Sequence, residues 1–138
     1  MAKQSGKDTF VSFGGTDIST VLRDFNVSRV QNEAESTAGA DEFENTVPTT
    51  KAITATATFV MLKDADGGST IRAALEEGTE ASLLWGWEGN STGKKKGGIT
   101  ARVSKFDIKS NYKNVIMADV AWSNVGTALL FDDTTDTW

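Results

Sequence analysis

The side chains with the most chemical potential in this chain are carboxylates and lysines. Asp132-Asp133 and Glu76-Glu77 are adjacent acids. Two carboxylates can divide general-acid and general-base work when a cleft holds them at a set separation. Sequence neighbours on a strand or helix do not face one another. These pairs therefore read as solvated surface. Asp64, Asp66 and Gly67 have the beginnings of a calcium loop. The other EF-hand ligand positions, including the terminal Glu, are missing. Gly14-Gly15 and Gly67-Gly68 match neither the P-loop nor the dinucleotide spacing. The chain contains no cysteine and no histidine. That excludes disulfides, thiol nucleophiles and zinc–thiolate sites. It also removes the commonest general base and the commonest transition-metal ligand. No catalytic residue, cofactor site or metal site is expected, and an enzyme is the least supported class.

The charges are segregated instead. Between Gln31 and Pro48 stand Glu33, Glu35, Asp41, Glu42 and Glu44 with no basic residue, a local charge of −5. From Lys94 to Lys113 the basic residues are Lys94, Lys95, Lys96, Arg102, Lys105, Lys109 and Lys113, opposed only by Asp107, a net +6. The basic stretch fits a solvated loop and hairpin face. As a nucleic-acid patch it lacks exposed aromatic stacking partners. The two stretches can also meet, within one molecule or between copies. A head-to-tail contact between copies closes into rings or propagates into filaments.

Trp85 and Trp87 share one strand face with Ala81 and Leu83, which points to a core or an interface. A sugar-binding platform is the other reading. Trp138 has no local core to join, so it either frays or docks on a neighbouring subunit.

The elements that must position these residues are mostly strands. Residues 9–14 form a short apolar strand ended by Gly14-Gly15. Residues 19–31 alternate through Phe25 and Val27, with a phase slip at Arg29-Val30 that suggests a bulge or a twist. Residues 32–48 lack apolar periodicity and read as a long functional loop. Residues 49–62 are the clearest strand. Ile53, Ala55, Ala57, Phe59 and Met61 line one face, and Thr54, Thr56 and Thr58 the other. Residues 69–77 read as the only helix, capped by Ser69 and terminated by Gly78. Residues 79–88 alternate again. Residues 89–98 form a flexible basic loop. Residues 99–112 and 114–125 form two long strands joined by a turn at 111–114, with a bulge after Ser104.

At 138 residues the chain fits one domain, spanning 1–138, with a loop at 32–48 and a C-terminal tail at 126–138. The net charge is −5, which disfavours a dedicated duplex-DNA binder. No signal sequence follows Lys3, and no apolar run approaches the ~20 residues of a membrane span. A soluble product of the cytoplasm is expected, with no membrane insertion.

The element order and texture resemble the tail-tube (major tail) proteins of long-tailed bacteriophages and gene-transfer particles. The strand and turn FVSFGGTDIS (10–19) lead into RDFNVSRVQNEAE (23–35). A polar loop precedes the Thr/Ala strand KAITATATFVML (51–62). The helix STIRAALEEG (69–78) precedes SLLWGWEG (82–89). GGITARVSKFDIKS (97–110) and NVIMADVAWS (114–123) form the closing pair. The resemblance covers essentially the whole chain and rests on no invariant motif.

The resemblance implies an antiparallel β-sandwich or partly closed barrel with one short flanking helix. It implies self-assembly into hexameric rings that stack into a tube around a tape-measure protein. Tail-tip and tail-terminator proteins are the implied further partners. DNA passes the lumen during ejection without specific binding. The implied place is the virion tail, assembled in the host cytoplasm, with a flexible tail fitting the texture. Glu33, Glu35, Asp41, Glu42 and Glu44 are expected to face a basic surface on the next ring, with Lys94, Lys95, Lys96 and Arg102 as candidate partners and Trp138 as a further subunit contact. Thr54, Thr56, Thr58 and Asp119 are the candidate lumen-lining residues. A capsid-decorating or tail-completion protein is the structural alternative. A monomeric β-sandwich with Trp85, Trp87 or Trp122 as ligand platform is the other.

Overall fold

The computed structural model describes residues 6–35, 46–110, 115–126 and 129–138. Seven strands form one antiparallel sheet: β1 (Phe10–Phe13), β2 (Thr16–Asp17), β3 (Leu22–Glu35), β4 (Thr46–Val60), β5 (Glu80–Gly86), β6 (Gly97–Lys109) and β7 (Met117–Asn124). Their order across the sheet is β2-β1-β5-β6-β7-β4-β3. The one α-helix among the described residues, α1 (Gly68–Ala74), lies between β4 and β5. The sheet curls without closing into a barrel. Phe25 on β3 comes within 6.2 Å of the Trp85 ring on β5 and 6.5 Å of Trp122 on β7.

The alternation read from the Thr/Ala segment decides which face turns inward. Ala55, Ala57 and Phe59 of β4 are buried beside Ala118, Val120 and Trp122 of β7. Leu83, Trp85, Ile99, Ala101 and Val103 complete the core from β5 and β6. The alanines leave room for two buried indoles, each worth several kcal/mol when replaced by alanine in a packed core, on the order of 3–5.

Helix α1 starts one residue earlier than expected and stops sooner. Gly67 takes the N-cap position at φ 102°, with no side-chain cap, so Ser69 sits inside the first turn. Ile71 and Leu75 are buried against the sheet. Gly78, at φ 85°, turns the chain so that its N–H donates to the Val103 carbonyl at 2.8 Å. The helix survives by that packing, since a helix this short is not stable alone.

Other expectations are corrected by the pairing. The phase slip at Arg29-Val30 is not a bulge, because these residues pair regularly with Ile53 and Ala52. The irregularities fall instead at Leu22/Asp24 and Gln31/Glu33. The bulge after Ser104 is present, as a shift between Val103 and Lys105. The predicted loop 32–48 is shortened from both ends: Glu33, Ala34 and Glu35 pair with Pro48, Val47 and Thr46. Two β-branched residues, Val47 and Thr46, favour that extended backbone despite the lack of apolar periodicity. The expected turn at 111–114 lies outside the described residues.

Candidate assembly surfaces

The outward face of the sheet carries small polar side chains. Asp24, Asn26 and Ser28 of β3 stand opposite Thr58, Thr56 and Thr54 of β4. Those threonines in turn oppose Asp119, Ala121 and Ser123 of β7. Thr54 and Thr56 are exposed, and Thr58 donates its hydroxyl to Asp119 Oδ1 at 2.8 Å. The cations on this face lie beside acids. Lys105 Nζ is 3.1 Å from Asp107, and Lys109 Nζ is 3.5 Å from Asp119. All four lumen candidates therefore share one face, and that face is more nearly neutral than the whole chain.

β6, β7, β4 and β3 form a four-stranded region of the sheet, and two of its edges have no strand partner among the described residues. One is the outer edge of β3 from Asp24 to Val30. The other is the far half of β6, because β5 pairs only from Gly97 to Arg102. An exposed edge presents unpaired backbone donors and acceptors, a template for another strand.

β3 and β4 run past their neighbours as a two-stranded arm. β7 pairs with β4 only from Thr54 to Val60, so the pairs from Arg29↔Ile53 to Glu35↔Thr46 lie beyond it. Glu33 is exposed on this arm. Glu35 belongs to β3, while Asp41, Glu42 and Glu44 lie outside the described residues.

The expected basic partners are placed differently. Arg102 already binds Glu80 of its own chain, with Nε 2.9 Å from Oε1. Lys94, Lys95 and Lys96 lie just before β6 begins, at the same end of the sheet as the arm. Their loop was expected to be flexible, but the C-terminal segment holds it. Lys95 bridges to Thr137, and the Lys96 and Trp138 amides donate to Asp136 and Lys94. Lys96 Nζ lies 3.9 Å from the centre of the Phe131 ring, a cation–π contact.

The same segment overturns two further expectations. Trp138 does have a local partner. Its ring meets Phe10 edge-on at 5.1 Å. Gly86 makes the notch, since a Cβ there would stand 2.7 Å from the Trp138 Nε1. Asp133 is not solvated surface. Its Oδ2 accepts from the Trp87 indole at 2.9 Å and from the Trp85 indole at 3.3 Å, and its Oδ1 accepts from Arg29 at 2.6 Å. Burial pushes the Asp133 pKa up, but the bonds from Trp87, Arg29 and Trp85 outweigh it, and the net shift is downward. This Asp133 latch holds two of the four indoles, whereas the buried N–H groups of Trp122 and Trp138 have no hydrogen-bond partner among the described residues.

The ligand-platform reading fails on burial: Trp85 is 0 % and Trp122 1 % exposed. Trp87 is half-buried, with its N–H on Asp133. Asp64 of the suggested calcium loop pairs with Arg72. No group of three metal-ligating side chains gathers among the described residues. Among them, no helix is long and apolar enough to cross a membrane.

No protein-family model matches the chain, and no curated protein does. Solved structures do. The tail of an empty gene transfer agent particle, refined with helical C6 symmetry, superposes with a TM-score of 0.72 at 16% identity, over 94% of this chain and 99% of that one. The SPP1 tail tube gives 0.72 at 10% identity, over 94% and 80%. The tube of an extracellular contractile injection system gives 0.64 at 9%, over 94% and 93%. At these scores and coverages the chain has the tail-tube fold.

Proposed function

We propose that the chain is a structural tail-tube subunit that assembles into stacked hexameric rings. The observation that carries this is the four-stranded region with an open edge on each side. Pairing the β3 edge of one copy with the β6 edge of the next satisfies both sets of backbone groups. Repeating that step around an axis closes a ring lined by one continuous sheet. The Thr54, Thr56, Thr58 and Asp119 face then lines the lumen. It offers DNA small hydroxyls and lysines already beside carboxylates, so phosphates slide past without a strong cation to hold them. Tape-measure protein fills that lumen first, and tip and terminator proteins meet the ends. The particle's tail is the resulting location, with assembly in the host cytoplasm.

The acidic arm is a contact element in this reading. Glu33 stands on the arm, which leaves the sheet at the end that carries Lys94, Lys95 and Lys96, and Glu35, Asp41, Glu42 and Glu44 follow it in sequence. A lateral neighbour therefore offers these lysines to the arm. Single exposed pairs contribute only about 0–1 kcal/mol each. Six-fold repetition would still fix register. Reversing all three lysines to glutamate is expected to shorten tubes and lower their yield at physiological salt. Wild-type length and yield would sink that pairing.

The test of the main reading is negative-stain electron microscopy of concentrated protein, alone and with isolated tail tips. Hollow tubes or stacked rings are expected. Monomers that stay inert with tips would overturn it in favour of a decoration or tail-completion role.

A further inference from the structure

The arm has a defined first rung. β7 pairs with β4 as far as Thr54↔Ser123, so Arg29↔Ile53 is the first β3–β4 pair beyond it. A two-stranded ribbon is marginal by itself and twists more than a wide sheet. The direction in which it leaves the body is soft unless something outside the ribbon holds it.

Both strands of that first rung are held. On β4, the Ile53 amide donates to Asn124 Oδ1 at 3.1 Å. The side-chain oxygen takes over where a backbone carbonyl of β7 would have continued the ladder. On β3, Arg29 Nη2 donates to Asp133 Oδ1 at 2.6 Å.

Each holder is itself fixed by the body. The Asn124 backbone still pairs with Ala101 of β6, and its Nδ2 donates to the Gly126 carbonyl at 3.0 Å. The next amide, that of Val125, donates to the Thr100 carbonyl at 2.7 Å. Asp133 is fixed through its other oxygen by the two indoles, and its side chain is only 17 % exposed. Its segment is tied to β6 where the Gly98 and Phe131 amides donate to each other's carbonyls. Both holders are therefore ordered by groups other than the arm, which lowers the entropy lost when the arm meets them.

Two anchors do what one does not. A ribbon held at one point can swivel about it. Paired strands lie about 5 Å apart. Anchors on both strands of one rung fix the roll of the ribbon and its sideways swing.

We propose that Asn124 and Asp133 are positioning residues for the arm, a clamp across Arg29↔Ile53 that sets the direction in which the arm leaves the sheet. The clamp belongs to the single chain. Its use in assembly rests on the tube reading: an arm already aimed leaves a larger fraction of subunits competent to meet a neighbour.

The absence of cysteine lets spin labels be placed at will. Ala34→Cys on the arm and Ser82→Cys on β5, both exposed positions, carry them. Pulsed electron spin resonance on dilute protein then reads the distance from arm to body, and one narrow peak is expected. Arg29→Met combined with Asn124→Ala should broaden that peak by roughly two-fold or more while the chain stays folded by circular dichroism. Arg29 is 42 % exposed, so its replacement leaves no core cavity. One nitrogen makes its bond to Asp133, so Arg29→Lys in place of Arg29→Met should recover part of the narrowing. A double variant as narrow as the parent would overturn the clamp, as would Arg29→Lys as broad as Arg29→Met. In unlabelled protein the double variant is expected to raise the critical concentration for tube formation roughly ten-fold. An unchanged critical concentration beside a broadened peak would overturn the role in assembly and leave the tube reading standing. A parent chain that forms neither rings nor tubes with tail tips would overturn the tube reading, and the distance measurement would still decide the clamp.

Discussion

Trp85→Ala is expected to lower stability by about 3–5 kcal/mol, the range for truncating a buried aromatic. The melting temperature should fall by roughly 10–20 °C for a chain of this size. The ring is fully buried and packs on Phe25. Gly97 lies directly against it: a Cβ at that position would stand 2.4 Å from the indole. Gly97→Ala is therefore expected to destabilise the wild type by about 1–3 kcal/mol through overpacking. In the Trp85→Ala background the same substitution should be close to neutral, because the cavity accepts the methyl group. Urea unfolding of the four chains checks both numbers and their coupling. Additive losses would show that Gly97 acts on something other than the indole.

Asp133→Ala should cost about 2–3 kcal/mol near neutral pH, since it strands two indole donors and a guanidinium. Asp133→Asn keeps one acceptor oxygen and should cost about half as much. The pH dependence separates charge from shape. The folded-state pKa of Asp133 lies below its ordinary value of 3.8. The unfolded chain therefore takes up the proton first as pH falls. The contribution of Asp133 is complete above that ordinary value and is lost as pH drops through the folded one. Wild-type protein should lose more stability than Asp133→Asn between neutral pH and roughly pH 2–3. Asp132 adds a similar slope in both chains, because the Thr134 amide donates to it and holds its pKa down. Equal losses in the two chains would assign the acid sensitivity elsewhere.

The strands that alternate cleanly were legible because one face is buried and the other is wet. Ala55, Ala57 and Phe59 against Thr54, Thr56 and Thr58 needed no tertiary information. The arm was not legible, because its apolar residues, Val30, Ala34 and Ala52 among them, follow no period-2 alternation. Nothing in Asn32, Glu33 or Thr46 reports a pairing that β-branching and backbone hydrogen bonds sustain without a core. The small β2 was missed for a similar reason, since Thr16 and Asp17 sit beside a glycine turn and resemble loop. The latch needed distance rather than pattern. Asp133 meets Trp85 and Trp87 across the whole β5–β6 hairpin, and no local spacing encodes that encounter. Its neighbour Asp132 is the ordinary case, a carboxylate closing a turn on its own chain. The two adjacent acids looked alike in sequence and have different surroundings.

The arm leaves the sheet at one end only. Any filament of such a subunit, joined end to end, has two unlike tips. One tip always shows arms, and the other always shows the opposite ends of the strands. A protein shaped to start growth at one tip cannot stop it at the other. In the proposed tube, a molecule fitted to one tip is therefore unlike a molecule fitted to the other.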